Sequence, residues 1–214
     1  MSIKARPWRL TLLLAAAVAV SSCTSGPGPV DDRPYEQQVS AWRQQKDQAF
    51  RAADNKDSPI PADRRAAFPG LPYYPIDAAY RIPAALTPET SVPPIVIELQ
   101  TSTEERDKYL KVGTLGFSVA GASYKLTAFA QDNNRLERLF VPFGDLTNGN
   151  ETYKGGRFLE LDRTSTGLYD LDFNRAYHPY CLFNPSYVCP VPPRENRLPI
   201  AIRAGERLAE GDKH

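Results

Sequence analysis

The residues able to do chemistry cluster between Gly155 and Asn196, a stretch reading GGRFLELDRTSTGLYDLDFNRAYHPYCLFNPSYVCPVPPREN. It carries Cys181 and Cys189 with His178, set among Arg157, Asp172, Asn174, Tyr177, Tyr180, Asn184 and Glu195. The two cysteines enclose Leu182 to Val188, and Pro185 with Ser186 offers a turn between them. In an oxidising compartment a disulfide closing this small loop is the first reading. By loop-closure entropy it would contribute ~2–3 kcal/mol. A metal site is the competing reading, with His178, Cys181 and Cys189 as three ligands. It lacks a paired C-x-x-C and a second nearby histidine, so no metal or other cofactor is expected.

Arg157 reads in two ways. Its guanidinium could clamp a ligand carboxylate, or it could neutralise Asp172 in a half-buried structural pair. Asp145, Thr147, Asn148, Asn150 and Glu151 are rich in oxygen, but the spacing fails the EF-hand pattern, and side chains capping a turn explain them. Gly116-Phe117-Ser118-Val119-Ala120-Gly121 misses a nucleophile elbow by one residue, since Ala120 stands where glycine is required. The chain from Tyr124 onward reads as another strand, which places Ser118 in a hairpin. Gly155-Gly156 lacks the lysine and helix of a phosphate loop and suits a close backbone approach instead.

The elements that must position these residues begin with a targeting signal. Lys4, Arg6 and Arg9 precede an apolar run from Leu10 to Val20 and the tetrad Val20-Ser21-Ser22-Cys23. A basic flank, a short apolar core and small residues before a cysteine describe a bacterial lipoprotein signal, 1–22, with Cys23 as the lipidated residue. Resemblance to Gram-negative lipoproteins implies that Thr24, in place of aspartate, sends the protein to the outer membrane, facing the periplasm, if the host is Gram-negative. Residues 23–33 form a tether rich in Ser, Gly and Pro. Removing residues 1–22 leaves 23 basic against 25 acidic groups and moves the formal charge from +1 to −2. That balance excludes nucleic acid as a partner and leaves the lipid anchor as the membrane attachment.

Beyond the tether, Tyr35, Val39, Trp42, Ala49 and Phe50 share one stripe of a helix over 34–53, with Asp32 as its cap. Gln37, Gln38, Arg43, Gln44 and Lys46 fall mostly opposite, and the stripe is expected to dock on the chain's own core. Pro59 to Pro94 reads as an extended wrapping segment, because proline opposes both helix interiors and central strands. The 20 prolines are about twice the usual share. Six runs then read as strands: 95–101, 110–119, 123–130, 135–143, 157–162 and 168–173, separated by turn formers, with 198–202 as a possible seventh. The fold class is therefore mainly β, an antiparallel meander closed into a small barrel or sandwich, spanning 34–208 as one domain with a disordered tail at 209–214.

FPGLPYYP from Phe68, LFVPFGDLTNGNETYKGGRFLEL from Leu139, YDLDFNRAYHPYCLFNPSYVCPVPPREN from Tyr169 and IRAGE from Ile202 resemble the DUF1684 family of bacterial and archaeal proteins of unknown function. The resemblance covers most of the mature chain. It departs at His178, where members commonly carry Asn. It implies a unit but no reaction.

The functional expectation is a lipid-anchored envelope protein whose β scaffold presents a polar and aromatic mouth to a small polar ligand. That mouth would be built from Arg157, Asp172, Asn174, Tyr177, Tyr180, Asn184 and Glu195. The alternatives are a hydrolase using Asp172 or Glu195 as acid or base, and a non-catalytic structural or assembly lipoprotein.

Overall fold

Period-two alternation of apolar side chains builds a barrel whose inner wall is aliphatic and aromatic. The computed structural model describes residues 31–131, 138–162 and 164–210. The signal peptide, Cys23 and most of the tether lie outside the described residues, as do the last four residues of the expected tail. Among the described residues one α-helix, α1 (Tyr35–Arg51), precedes seven strands: β1 (Arg81–Pro88), β2 (Val96–Gln100), β3 (Arg106–Val119), β4 (Ala122–Gln131), β5 (Arg138–Phe143), β6 (Arg157–Asp162) and β7 (Leu168–Asp172). Six of them run in the order β6-β5-β4-β3-β1-β7, all antiparallel, with β2 pairing alongside β1 on the same long β3. The two end strands are consecutive in sequence, and the sheet curls into a nearly closed barrel.

Five of the six expected strands fall within a few residues of their observed bounds, and β3 starts earlier, at Arg106. The strand the proline content concealed is β1, which contains Pro83 and Pro88. Residues 81–84 of β1 pair only with β7 and residues 86–88 only with β3, so Pro83 sits where one flank of the strand carries no ladder. A missing N–H costs little there. The expected seventh strand at 198–202 is not one. That segment runs beside the end of β5 through Leu198 N–H to Gly144 O at 2.8 Å and Leu146 N–H to Ile200 O at 3.0 Å. Pro199 interrupts further pairing by removing a donor.

The interior is filled rather than hollow. Leu115, Leu126, Leu139, Val141 and Leu171 are fully buried, and Phe117, Phe143 and Phe173 meet along the axis with ring centroids 5.2–5.8 Å apart. Ser118 lies in the β3–β4 hairpin as expected, its Oγ 3.2 Å from Ser123 Oγ. The turn between them places Ala120 and Gly121 at φ 50° and 79°, the left-handed pair of a tight hairpin. Helix α1 docks on the domain through buried Val39 and Phe50. Pro34 occupies its N-cap with no side-chain bond, so Asp32 does not cap it. Arg43 and Lys46, read from the sequence as part of the polar face, also turn inward. Arg43 donates to Tyr74 O at 3.0 Å and Asn174 O at 3.2 Å, and Lys46 reaches Glu206 at 2.5 Å.

Candidate functional site

Arg157 opens β6 and is completely buried, so it lines no mouth. Its partner is Asp145, at 2.8 Å, rather than Asp172. The same guanidinium donates to the carbonyls of Ile202 at 2.6 Å, Glu206 at 3.1 Å and Ala204, and lies over the Phe143 ring. It therefore ties the 145–152 turn and the C-terminal segment to the barrel. Sequence spacing pointed to Asp172 because Asp145 was absorbed into the turn. In that turn Asp145 Oδ1 accepts from Thr147 N–H at 2.7 Å, and Asn148 Oδ1 accepts from Asp145 N–H at 2.7 Å, which is the capped arrangement expected. Gly156 supplies the close backbone approach anticipated for the glycine pair: a Cβ there would stand 2.7 Å from Phe143 O.

Asp172 is also buried, at another place. It accepts from the Tyr35 hydroxyl at 2.7 Å, from Asn174 N–H at 3.0 Å and from Arg175 at 3.3 Å, fastening the first turn of α1 to the end of β7. Asn174, fully buried, closes the same knot by exchanging bonds with the backbone of Asp77. Asn184 caps a local turn through Ser186 N–H at 3.0 Å, and Glu195 is exposed on the 194–196 turn. Four of the seven residues expected at one mouth are thus structural or peripheral to any cleft, with Glu195 among them, and Arg157 makes a fifth. Tyr177 and Tyr180 alone line a cavity.

That cavity, of about 580 Å³, lies on the outer wall of the barrel rather than at its mouth. Strands β5 and β6 alternate core residues with outward ones, so Arg138 and Phe140 face it from β5, and Phe158 and Glu160 from β6. Trp42 and Lys46 of α1 close one side, and Tyr177 to Pro190 close the rim. Tyr109 stacks on Phe140 at 5.3 Å, and Phe158 meets both Phe140 and Tyr177 edge-on, which gives a continuous aromatic floor. Glu160 accepts from the Tyr177 hydroxyl at 2.9 Å and pairs with Arg138 at 3.0 Å. Lys46 lies 4.5 Å over the Tyr177 ring with its ammonium on fully buried Glu206. Burial, reinforced by Glu160, raises the Tyr177 phenol well above its ordinary value; burial and then Tyr187 raise Tyr180. Burial likewise pushes Tyr109 up to about 12. All three therefore stay protonated at neutral pH and can donate.

Glu206 joins this cleft to a second, of about 540 Å³, lined by Phe68, Leu71, His178, Leu182, Phe183 and Arg207 among others. Its other oxygen accepts from His178 N–H at 2.7 Å and faces His178 Nδ1 at 3.6 Å. His178 Nε2 accepts from Tyr153 N–H at 3.3 Å, which leaves the ring proton on Nδ1, toward the carboxylate. Cys181 and Cys189 are both free thiols, and Cys181 N–H donates to Cys189 Sγ at 3.1 Å.

The sequence reading missed Trp42 and Lys46 as cleft residues, along with Arg138 and Glu160. A signal for them exists. Trp42, Lys46 and Phe50 recur every four residues on one helix face, and Arg138 with Phe140, like Phe158 with Glu160, are i,i+2 pairs on the outward face of a strand.

No protein of curated function matches the chain. Among solved structures it is similar to the solution NMR structure of an uncharacterized protein of Haloarcula marismortui, 40% identical, with a TM-score of 0.65, covering 83% of this chain and 96% of that one. The model of the protein family of unknown function DUF1684 matches residues 66–207, which contain the whole barrel, the 145–152 turn, Arg157, and Glu206 with its partner His178. The chain belongs to the DUF1684 family.

Proposed function

We propose that this is an exported, lipid-anchored envelope protein that binds a small ligand with a flat apolar face and a polar edge. The outer-wall cleft carries the reading. Its aromatic floor, formed by Tyr109, Phe140 and Phe158, supplies the apolar face, while Glu160, Arg138 and the hydroxyl of Tyr180 stand ready for polar groups. Small-ligand sites are concave and mostly apolar with a few convergent polar groups, and this cleft has that composition and size. The anchor rests on the Lys4-to-Cys23 signal and the tether after it. The hydrolase alternative gains no support, since Asp172 is committed to Tyr35, Asn174 and Arg175, and Glu195 lines neither cleft.

The test is native mass spectrometry of the chain purified from its own membranes, repeated with Trp42→Ala and Glu160→Gln. A co-purifying small molecule should be retained by the wild type and depleted at least tenfold in both variants. Retention at wild-type level in both would place its site elsewhere and overturn the assignment.

A further inference from the structure

Cys189 lines the rim of the cleft and Cys181 follows Tyr180, another rim residue, and the two cysteines are anchored to different parts of the domain. Cys189 is buried and fixed to the end of β2: its carbonyl accepts from Ser102 N–H at 2.8 Å, its N–H donates to Ser102 Oγ at 3.2 Å, and Val191 N–H donates to Gln100 O at 2.6 Å. Cys181 is half-buried on the short 3-10 turn Tyr180–Leu182, which leans on α1 through the Tyr180 and Phe50 rings, 5.9 Å apart. Between the cysteines, Tyr187 packs back on Tyr180 at 5.4 Å, so the loop they bound is itself the cleft wall. The two cysteines already lie side by side, since Cys189 Sγ accepts from Cys181 N–H at 3.1 Å.

We infer that Cys181 and Cys189 are an exchangeable dithiol, not a fixed staple, in which Cys181 is the attacking sulfur and Cys189 the resolving one, and that their oxidation state sets the rigidity of the cleft wall. Accessibility and hydrogen bonding separate the two roles. The S–H of Cys189 donates to Cys181 and pulls its thiol down to about 7, against the effect of burial, while Cys189 is pushed up by the same shared proton and by burial. A thiol with a value near ambient pH combines a large thiolate fraction with retained nucleophilicity. The oxidant is an external disulfide, such as oxidised glutathione. The Cys181 thiolate attacks one of its sulfurs, the S–S bond breaks, and the departing thiolate takes a proton from solvent. Cys189 then releases its proton and attacks Cys181 Sγ. The internal bond forms, and the second glutathione thiolate leaves and is protonated. Two electrons pass from the pair to the external disulfide, which becomes two thiols.

Only the consequence for the wall rests on the proposed cleft; the chemistry does not, and the test reads the thiols directly. The full chain, reduced and then freed of reductant, is alkylated with iodoacetamide over a pH series, with modification located by peptide mass spectrometry. Cys181 should react at least tenfold faster than Cys189 in the folded chain, with half-maximal rate near pH 7. Oxidised glutathione should give the internal disulfide in the wild type and a persistent Cys181–glutathione adduct in Cys189→Ser. Faster alkylation of Cys189, or a stable adduct at Cys181 in the wild type, would overturn the proposal. The wild-type rates decide it even where a serine variant fails to fold. Hydrogen exchange at residues 182–188 should slow on oxidation; unchanged exchange with the disulfide formed would remove the effect on the wall. Loss of the co-purified ligand in the cleft variants bears on the binding reading alone.

Discussion

Arg157 shows how much one side chain can organise. A guanidinium offers five donors in a fixed fork, and here the fork spans a carboxylate and three backbone carbonyls from a segment that belongs to none of the seven strands. Breaking a buried pair leaves an uncompensated charge, so Arg157→Ala and Asp145→Ala should each cost ~3–5 kcal/mol in urea denaturation. Arg157→Lys should recover little, because a point charge cannot reach the carbonyls and Asp145 together. Glu151 gives a pH signature. The hydrogen bonds of Arg203 hold its carboxyl below the ordinary 4.5, burial opposes, and the Tyr74 hydroxyl adds to the lowering. A depressed folded-state value stabilises fully above the unfolded value and loses that contribution as pH falls through the folded one. Wild type and Glu151→Gln should therefore differ most in urea midpoint above pH 4.5 and converge as pH falls from there through the lower folded-state value, as measured across a pH series.

At the level of elements, β4 and β5 form a thin seam within the sheet: among the described residues they pair at one position, Phe129 with Phe140. Asn196 repairs it. Its Oδ1 accepts from Thr127 N–H at 2.7 Å, and its amide donates to Thr127 O at 2.9 Å and Pro142 O at 2.7 Å, so one side chain takes the place of a missing strand neighbour. Asn196→Leu strands buried backbone groups at ~1–3 kcal/mol each, and the Thr127 amide should lose its hydrogen-exchange protection first. Nothing in the spacing of PPREN announces this role, because it depends on where two distant strands diverge. Strand periodicity, by contrast, is readable wherever turn formers bound it, as at Gly121 and Gly167, and fails for β1, where proline residues outweigh the alternation of Ile82 and Ala84, and at 198–202, which forms no strand. The helix was readable in extent but not in orientation. Lys46 counts as polar in any pattern, yet it sits between Trp42 and Phe50 on the buried face because Glu206, 160 residues later, lies beneath it.

For the whole molecule, the expected site was drawn around a barrel mouth, and the barrel has no mouth to offer because phenylalanines fill it. The sequence does single out the segment after β7 by its residue types. Tyr177, Tyr180 and Cys189 fold back over the outer wall and turn a flat sheet face into a cleft. Long-range closure of this kind leaves little trace in local spacing, since the facing residues on β5 and β6 look like ordinary solvent-side positions. Replacing Tyr180 with Ala should open the rim. It should weaken ligand retention by at least tenfold while lowering stability by ~3–5 kcal/mol at most, the span seen for truncating large aromatic side chains, as checked by paired retention and denaturation measurements.

The clamp on the C-terminal segment also governs when the domain can come into being. Arg157 draws its backbone acceptors from Ile202, Ala204 and Glu206, and Lys46 its counterion from the last of these, so the guanidinium of β6 has only Asp145, and the ammonium of α1 lacks its carboxylate, until residues 202–206 have been made. A growing chain that ends short of Glu206 carries a finished set of strands and an unfinished interior. Such a chain stays open, and it closes once residues 202–206 are in place. Chains stopped at Pro199 should remain protease-sensitive, whereas those stopped after Glu210 should resist digestion.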